Sequence, residues 1–498
     1  MKVLVANRGE IAVRVLRSCR ELGLKSVAVF SEGDENALHT RYGNEAICIG
    51  PAEAAASYLN ITAVIKAAKK TGAEAIHPGY GFLSESAEFA RAVEAEGMTF
   101  IGPTPETIAL TGNKLEARRI AQEVGLPVLS GADNPIAGEV PAGLAEQINY
   151  PILIKAVAGG GGRGIRLARG PEEFEQMYQS ARKEALAAFG NDTVYLERLV
   201  QSARHIEVQI LGDGLGRTLC MGERECSIQR RRQKLIEEAP APNLPEEVRN
   251  RLYEDAMRLA KALKYRSLGT IEFLMDQEQN YYFIEVNPRI QVEHPVTETV
   301  TRTDLVGAQL QLALDGRLAY NQDQLSLQGW AIEARVLAED PENGFLPAGG
   351  TIEYLKEPGG PGVRVDSAIY AGMQVATEYD SLLAKVIAWG EDRPHAIRRL
   401  ERALDEFMIG GVPTDLDFLI QILGSESFRG GRADTTYLDH FKLIPVRSGS
   451  NMEMELALAA AWMAHQTEPP PDKGNCNEYG GGMWLQQAWR EQMNGFHS

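Results

Sequence analysis

Two apolar runs near the middle of the chain each carry a carboxylate: Thr270-Ile271-Glu272-Phe273-Leu274-Met275 and Tyr281-Tyr282-Phe283-Ile284-Glu285-Val286-Asn287. A polar turn centred near Glu278 makes them an antiparallel pair in which Glu272 lies nearly opposite Glu285. Period-two alternation puts Glu285 and Asn287 on one face. Two carboxylates opposed among Ile, Phe and Leu repel, and a divalent cation between them removes that cost. Hard oxygen donors with phosphate co-ligands suit Mg²⁺ or Mn²⁺. The plain alternative is a solvent-facing strand with two unrelated acids. Immediately after comes Asn287-Pro288-Arg289-Ile290-Gln291-Val292-Glu293-His294-Pro295-Val296-Thr297-Glu298, a density of polar groups unusual for a packing element. Arg289 can hold a small anion in a planar fork, and Glu293 can accept a proton. A third cluster, Glu225-Cys226-Ser227-Ile228-Gln229-Arg230-Arg231-Arg232-Gln233-Lys234, concentrates cations in an acidic chain. Such a run is ordinarily a solvated face; an anionic site is favoured here because the other clusters call for one.

A fourth feature is Ile152-Leu153-Ile154-Lys155-Ala156-Val157-Ala158 followed by Gly159-Gly160-Gly161-Gly162-Arg163-Gly164 and Ile165-Arg166-Leu167-Ala168. The glycines formally satisfy GxGxxG, but a dinucleotide fingerprint needs a helix next, and Ile165–Ala168 alternates like a strand. The chain has no Gly-Lys dipeptide, which excludes a Walker A loop. A strand–glycine loop–strand is instead a mobile flap whose bare amides fold over phosphates, with Lys155 reaching them as a point charge. Its competitor is a flexible surface hairpin with no ligand.

These residues need a scaffold to hold them. The chain has 498 residues, a prior of about three domains. Over the first hundred residues short apolar strands (Val3–Ala6, Ser26–Phe30, Ala73–His77, Met98–Ile101) alternate with helices (Ile11–Leu22, Ala54–Thr71, Glu85–Gly97), the pattern of a doubly wound parallel sheet. Gly102-Pro103-Thr104-Pro105 marks a boundary. The helix Lys114–Val124 opens a mixed α+β unit with strands at Tyr150–Ala156, Gly164–Ala168, Thr193–Leu199, Arg204–Gly212, Thr218–Glu223, Gly269–Met275 and Tyr281–Val286. A third unit runs from about Trp330 to Lys442, with strands Ala331–Ala338 and Val363–Asp366 and helices Pro394–Glu406 and Asp415–Leu423. The net charge of −17 argues against a general nucleic-acid or membrane-surface binder, and no apolar run approaches a membrane span. The N-terminus is not a signal peptide. Five scattered cysteines without CxxC spacing disfavour a disulfide framework or a zinc site, and make a reducing cytoplasm the expected compartment.

The chain resembles biotin carboxylase, an ATP-grasp enzyme, from about Lys2 to Lys442. The likeness is carried by Ala6-Asn7-Arg8-Gly9-Glu10-Ile11-Ala12, His77-Pro78-Gly79-Tyr80-Gly81-Phe82-Leu83-Ser84-Glu85, the glycine flap, and Arg289-Ile290-Gln291-Val292-Glu293-His294-Pro295. The resemblance implies an N-terminal doubly wound domain over 1–112, an ATP-grasp domain over 113–328 with a mobile glycine-rich lid at about 129–200, and a C-terminal biotin-carboxylase domain over 329–445. A tail over 446–498 is appended. By the same resemblance Lys114, Lys155, His205 and Lys234 would contact ATP or the phosphoryl group in transfer, beneath Gly159, Gly160, Gly161 and Gly162. Glu197 and Leu199 would meet the adenine, with Gln229 and Leu274 nearby. Glu272, Glu285 and Asn287 would hold two Mg²⁺ or Mn²⁺ ions. Lys234, Arg289, Gln291 and Val292 would bind bicarbonate, and Glu293 would deprotonate it. Arg335 would stabilise the biotin enolate, with Tyr80 and Gly81 beside the biotin ring. Arg17, Glu21 and Arg364 fall where the family forms its homodimer. His205 and His294 have the competing reading that a lone histidine is structural.

The implied reaction suits these residues. Bicarbonate attacks the γ-phosphoryl of ATP, and the carboxyphosphate formed needs a closed lid against water. It breaks down to CO₂ and phosphate, that phosphate takes the ureido proton, and the ureido nitrogen attacks CO₂. Covalent biotin attachment in this class uses a lysine beside methionine in a carrier domain, and the only Met-Lys pair here is Met1-Lys2. Biotin is therefore expected on a separate carrier protein, with separate carboxyltransferase subunits. Acetyl-CoA, in fatty acid synthesis, is the expected final acceptor, with pyruvate or propionyl-CoA as alternatives and a silent nucleotide-binding scaffold as a different class. Three departures from the family pattern touch the nucleotide side: Asn113 for Asp, Val157 and Ala158 for Ser and Gly, and Arg232 for His or Asn. In the tail, 451–466 and 483–493 read as two helices, the second stacking Leu485, Trp489 and Met493. They either pack on the third domain or dock a partner subunit.

Overall fold

The computed structural model describes residues 1–131, 135–141, 143–157 and 165–444. The glycines 159–162 with Ala158, and the tail expected over 446–498, lie outside the described residues. The backbone begins with five parallel strands: β1 (Lys2–Val5), β2 (Lys25–Phe30), β3 (Glu45–Cys48), β4 (Ala75–His77) and β5 (Thr99–Phe100). Their order β3-β2-β1-β4-β5, parallel throughout, is a doubly wound sheet. Val3, Leu4 and Val5 are fully buried because helices cover both faces, so the strand reads as an unbroken apolar run. Helix α1 (Gly9–Glu21) turns Ile11, Val15, Leu16 and Cys19 onto the sheet. The helix expected over 54–71 starts late: a 3₁₀ turn occupies Ala54–Ala56, and the helix proper is Ile61–Thr71. Asn60 sets that start by accepting a hydrogen bond from the Ala63 amide at 3.0 Å. The short strand β3 was not read from the sequence; its burial is poor, which left no apolar alternation to see.

A three-stranded sheet follows, β6 (Ile152–Ala156) between β7 (Ile165–Ala168) and β8 (Val194–Arg198), antiparallel on both sides. The helix Pro171–Phe189 packs Phe174, Tyr178 and Ala181 against Ile152, Ile154 and Leu196.

The largest sheet has eight antiparallel strands. Its order runs from β13 (Tyr281–Asn287) and β12 (Arg266–Met275) to β9 (Arg204–Asp213), β10 (Thr218–Arg230), β11 (Gln233–Ala239) and β14 (Trp330–Leu337), then Leu382–Gly390 and Val363–Ser367. It crosses the boundary read at 328/329, because β11 pairs with β14, Glu237 opposite Glu333. Strand β10 continues past the expected Glu223 to Arg230, so the basic cluster is a β-hairpin with Arg231 and Arg232 exposed at its turn and Lys234 directed inward.

One face of this sheet is apolar. Ile206, Val208, Ile210, Ile271 and Phe273 meet the helix Glu246–Ala262, and Ala334, Val336, Ala384 and Val386 meet the helix Arg393–Glu406. The residues between them point the other way, and they are Glu207, Gln209, Glu272, Glu333, Arg335 and Lys385. The buried helix His294–Thr301 lies against this polar face, its Val296 and Val300 packing on Ala331 and Ile387. No helix among the described residues is long and apolar enough to cross a membrane.

Candidate active site

Two β-bulges decide which side chains share the polar face. On β11, Ile228 opposes Ile236 but Gln229 opposes Lys234, so Leu235 is an extra residue. Leu235 and Ile236 both enter the core, and the bulge turns Lys234 and Glu237 to the same side. On β13, Glu272 opposes Glu285 while Phe273 opposes Phe283, so Ile284 is the extra residue that separates buried Phe283 from Glu285. The register expected between Glu272 and Glu285 is thus observed.

Lys234 is the hub. Its ammonium donates to Glu207 at 2.6 Å, Glu293 at 2.6 Å and Glu272 at 3.0 Å. Burial opposes its charge, but the three carboxylates raise its pKa well above the ordinary lysine value. Glu272 also accepts from Asn287 Nδ2 at 2.9 Å and Gln291 Nε2 at 3.0 Å, and pairs with His205 Nε2 at 3.0 Å. Against burial, Lys234 and His205 hold its carboxyl well below the usual range. His205 is correspondingly raised despite burial, and its Nδ1 meets Gln229 Nε2 at 2.7 Å. Glu285 pairs instead with Lys114 at 3.0 Å. The repulsion expected between Glu272 and Glu285 is therefore already answered by side-chain cations, each carboxylate having its own.

Glu293, 2% exposed, bridges the hub to Arg335, whose Nη2 donates to its Oε2 at 2.9 Å. Burial raises its pKa, but Lys234 and then Arg335 outweigh that and leave it lowered, so it is an ionised acceptor. Arg335 also pairs with the fully buried Glu237. Arg289 donates to Glu85 and, at 3.0 Å, to Asn287 Oδ1. The Val292 carbonyl accepts from Lys385 at 2.8 Å. The Tyr80 hydroxyl donates to Glu10. Its loop is fixed by Asn7, whose Nδ2 donates to the carbonyls of Pro78 and Tyr80, both at 2.7 Å. Gly79, at φ +64°, leaves room for that amide: a Cβ there would sit 2.8 Å from Asn7 Nδ2. Gly81 follows at φ +67°.

Lys155 forms its own ion pair with Glu197, a diagonal contact between β6 and β8, and Arg118 stands 3.6 Å from the same carboxylate. The Leu199 amide donates to the Pro151 carbonyl at 2.9 Å, and Leu274 lies opposite His205 in the sheet. The expected dimer residues do not join the cluster. Arg17 is exposed near the Tyr42 ring and Glu21 is exposed at the end of α1, while Arg364 turns inward to Asp366 and Glu298. His294 is fully buried and its Nδ1 meets the Gln291 carbonyl at 2.8 Å, a structural part. Of the departures, Asn113 caps the helix Lys114–Glu123 by accepting from the amides of Leu115 and Glu116 at 3.2 and 3.3 Å. The Val157 amide donates to the Thr193 carbonyl at 3.0 Å. Arg231 and Arg232 form the two-residue hairpin turn at φ +50° and +68°, where Asn and Gly are favoured.

Several residues were not singled out in the sequence. Arg224, fully buried, donates to Glu207 at 2.6 Å, Gln209 at 2.7 Å, Gln291 at 2.7 Å, Thr297 at 2.9 Å and Thr270 at 3.2 Å. It thereby orients Glu207 of the hub and Gln291 of the loop after β13. Glu207, Glu237, Glu333 and Lys385 are equally buried. Glu207 and Lys385 carry a signal, a lone charge inside an apolar strand (Ile206-Glu207-Val208 and Ala384-Lys385-Val386), whereas Arg224 and Glu237 stand beside other charges.

Glu272, Glu285 and Asn287 offer only oxygen and amide donors on adjacent strands, a set that fits a hard divalent cation beside phosphate. His205, Glu207 and Glu272 also bring ligand atoms within 4.8 Å of one another, around the position that Lys234 serves.

Three family descriptions match the chain in succession: biotin carboxylase N-terminal domain over 1–108, carbamoyl-phosphate synthase L chain ATP-binding domain over 113–321, and biotin carboxylase C-terminal domain over 333–440. Biotin carboxylase 1 of Bacillus subtilis is 48% identical over 445 residues, 89% of this chain and 99% of that protein. The solved biotin carboxylase of Campylobacter jejuni, in a complex with β-γ-ATP, aligns with a TM-score of 0.85 at 44% identity, covering 88% of this chain and 98% of that one. The biotin carboxylase domain dimer of Hydrogenobacter thermophilus 2-oxoglutarate carboxylase, with MgADP, ADP and bicarbonate, aligns with a TM-score of 0.85 at 45% identity, covering 88% of this chain and 97% of that one.

Proposed function

The chain belongs to the biotin carboxylase family and is an enzyme of the biotin carboxylase half-reaction, and we propose that its substrate is the biotin of a separate carrier protein within a multi-subunit carboxylase. The observation that carries this reading is Glu293 held between Lys234 and Arg335, a base flanked by the two cations that the two halves of the reaction need. The domains are those read above, 1–112, 113–328 with its lid, and 329–445.

Lys114, Lys155, His205 and Lys234 receive the phosphates of ATP, and Glu197, Leu199, Gln229 and Leu274 surround its base. Mg²⁺ or Mn²⁺, two ions held by Glu272, Glu285 and Asn287, would supply neutralisation of phosphate charge. Arg289, Gln291 and the Val292 backbone hold bicarbonate, and Lys234 steadies it against the γ-phosphoryl. Glu293 takes the bicarbonate proton. Paired with both cations it is a weak base, so its basicity rises as phosphate and bicarbonate draw Lys234 away from it. Arg335 then faces the ureido oxygen of biotin, stabilising the negative charge that develops there, with Tyr80 and Gly81 beside the ring. The enzyme acts as a homodimer in the cytoplasm, meeting its partner through the α1 surface of Arg17 and Glu21 and the neighbouring Arg364. Acetyl-CoA is the proposed final acceptor, with pyruvate or propionyl-CoA the alternatives; native partners co-purified with the chain identify the transferase.

The test is ATP hydrolysis with and without bicarbonate, then with free biotin. Turnover should require bicarbonate and rise with biotin. Hydrolysis indifferent to both additions would overturn the reading.

A further inference from the structure

Lys385 has no part in the reaction described above, yet its side chain is completely buried on the polar face of the large sheet. It stands directly opposite Arg335 on one side and Asp366 on the other. An ammonium in that position persists only if its surroundings compensate it. Three groups do so: the Val292 carbonyl at 2.8 Å, Glu10 Oε1 at 3.2 Å and Asp366 Oδ2 at 3.9 Å. Burial would neutralise it, but Glu10, Glu333 and Asp366 raise its pKa instead. Each contact leads elsewhere. The Val292 carbonyl belongs to the peptide plane that continues into Glu293, so a donor on that oxygen fixes the backbone from which the base projects. Glu10 accepts from the Tyr80 hydroxyl through the same Oε1 that meets Lys385. Asp366 is gripped by Arg364 at 2.8 and 2.7 Å and is thereby held in place.

We infer that Lys385 is a positioning residue that fixes the bicarbonate-side backbone at Val292 and the biotin-side tyrosine, Tyr80, relative to one another. The inference rests on the assignment of those two walls to bicarbonate and biotin. One ammonium, anchored from a third element, joins the Val292 carbonyl to the Glu10–Tyr80 pair, while Arg289 and Glu85 join the same two segments at another point. Its chemistry suits this: three donors on one flexible stem can satisfy a carbonyl and two carboxylates at once.

The experiment compares wild type with Lys385→Met and Glu10→Gln, using bicarbonate-dependent ADP release, carboxylation of free biotin and titration with ADP. In Lys385→Met the KM values for bicarbonate and for biotin should both rise, each by about tenfold to a hundredfold, the range set by losing one charge-assisted hydrogen bond. ADP affinity should stay within about twofold, since no nucleotide contact is changed. Glu10→Gln, which takes the charge out of the Lys385–Glu10–Tyr80 link but leaves the Lys385–Val292 hydrogen bond, should raise the KM for biotin and leave that for bicarbonate unchanged. If Lys385→Met folds and neither KM moves, or if ADP affinity falls in step with both, the residue is merely structural and the inference is overturned. If that variant does not fold, Glu10→Gln decides: an unchanged KM for biotin overturns the inference. A wild-type enzyme indifferent to bicarbonate would instead sink the functional assignment on which it rests.

Discussion

Replacing Glu293 by Gln separates what this carboxylate does for the reaction from what it does for the fold. It makes two contacts, with Lys234 at 2.6 Å and Arg335 at 2.9 Å. Removing one partner of a buried ion pair costs about 3–5 kcal/mol when it strands the other charge. Neither cation is stranded here: Lys234 keeps Glu207 and Glu272, and Arg335 keeps Glu237. The Gln carbonyl can still accept from one of them, so the loss is one charge-assisted hydrogen bond, about 1.5–3 kcal/mol, offset by reduced repulsion from Glu207 and Glu237. Net destabilisation should therefore be about 1–2 kcal/mol, and the variant should fold.

The reaction should suffer far more. Losing a general base lowers the rate by about 10²–10⁴-fold, which is about 3–5 kcal/mol of barrier. Biotin carboxylation and bicarbonate-dependent ADP release, measured side by side, should fall by that factor. Nucleotide affinity should remain within about threefold, because the base meets bicarbonate and not ATP. Retention of more than about a tenth of the carboxylation rate, a loss well short of the range for a lost base, would refute the assignment. So would a parallel loss of nucleotide binding.

Arg335→Ala should lower biotin carboxylation more than bicarbonate-dependent ATP hydrolysis; equal losses would mean that the guanidinium does not act on the enolate alone. Burial, against Arg335, pushes the Glu237 carboxyl up from 4.5 to about 7, so the folded protein holds that proton more tightly than the unfolded chain. Its contribution to stability is full below about 4.5 and declines as pH rises through about 7; Glu237→Gln should therefore gain on wild type in urea midpoints between those values. Glu207 works in the opposite sense. Lys234 and Arg224, against burial, hold it down at about 2, so its contribution is present above 4.5 and is lost as pH falls towards about 2, visible as acid unfolding that Glu207→Gln blunts. At the hairpin turn, Arg231 is exposed at φ +50°, and Arg231→Asn should raise stability by about 0.5–1 kcal/mol in chemical denaturation because Asn tolerates the left-handed region better.

What the sequence disclosed follows from how each feature is encoded. The parallel sheet was legible because Val3–Val5, Val27–Val29 and Ala75–Ile76 are buried on both faces and so form unbroken apolar runs. The Glu272–Glu285 register was legible because a short turn fixes it. The position of Lys234 was not, since it depends on the extra residue Leu235, and a bulge leaves no mark in a pattern of alternating polarity. Nor was the single sheet joining β11 to β14, because more than ninety residues separate Glu237 from Glu333 and only tertiary pairing brings them opposite. Arg224 and Lys385 were passed over for a different reason. A charged residue in a strand is ordinarily a solvent-facing one, whether lone like Lys385 or flanked by Glu223 and Glu225 like Arg224, and the helix His294–Thr301 over that face makes it an interior one.

The polar face is held by ion pairs whose partners are shared. Carboxylates and cations pair there across elements distant in sequence: Glu285 with Lys114, Glu272 and Glu207 with Lys234, Glu237 and Glu293 with Arg335. Every exchange of partners in such a set is nearly neutral, because an anion arriving at Lys234 or Arg335 replaces a carboxylate instead of adding a charge to a dry interior. The carboxylate displaced from Lys234 is then free to be protonated. On the proposed assignment Arg335 serves biotin, so loss of Lys234 would leave Glu293 oriented by Arg335 while its affinity for a proton rises. In the proposed reaction Lys234 would thus keep the base quiet before bicarbonate binds, and Arg335 would aim it afterwards.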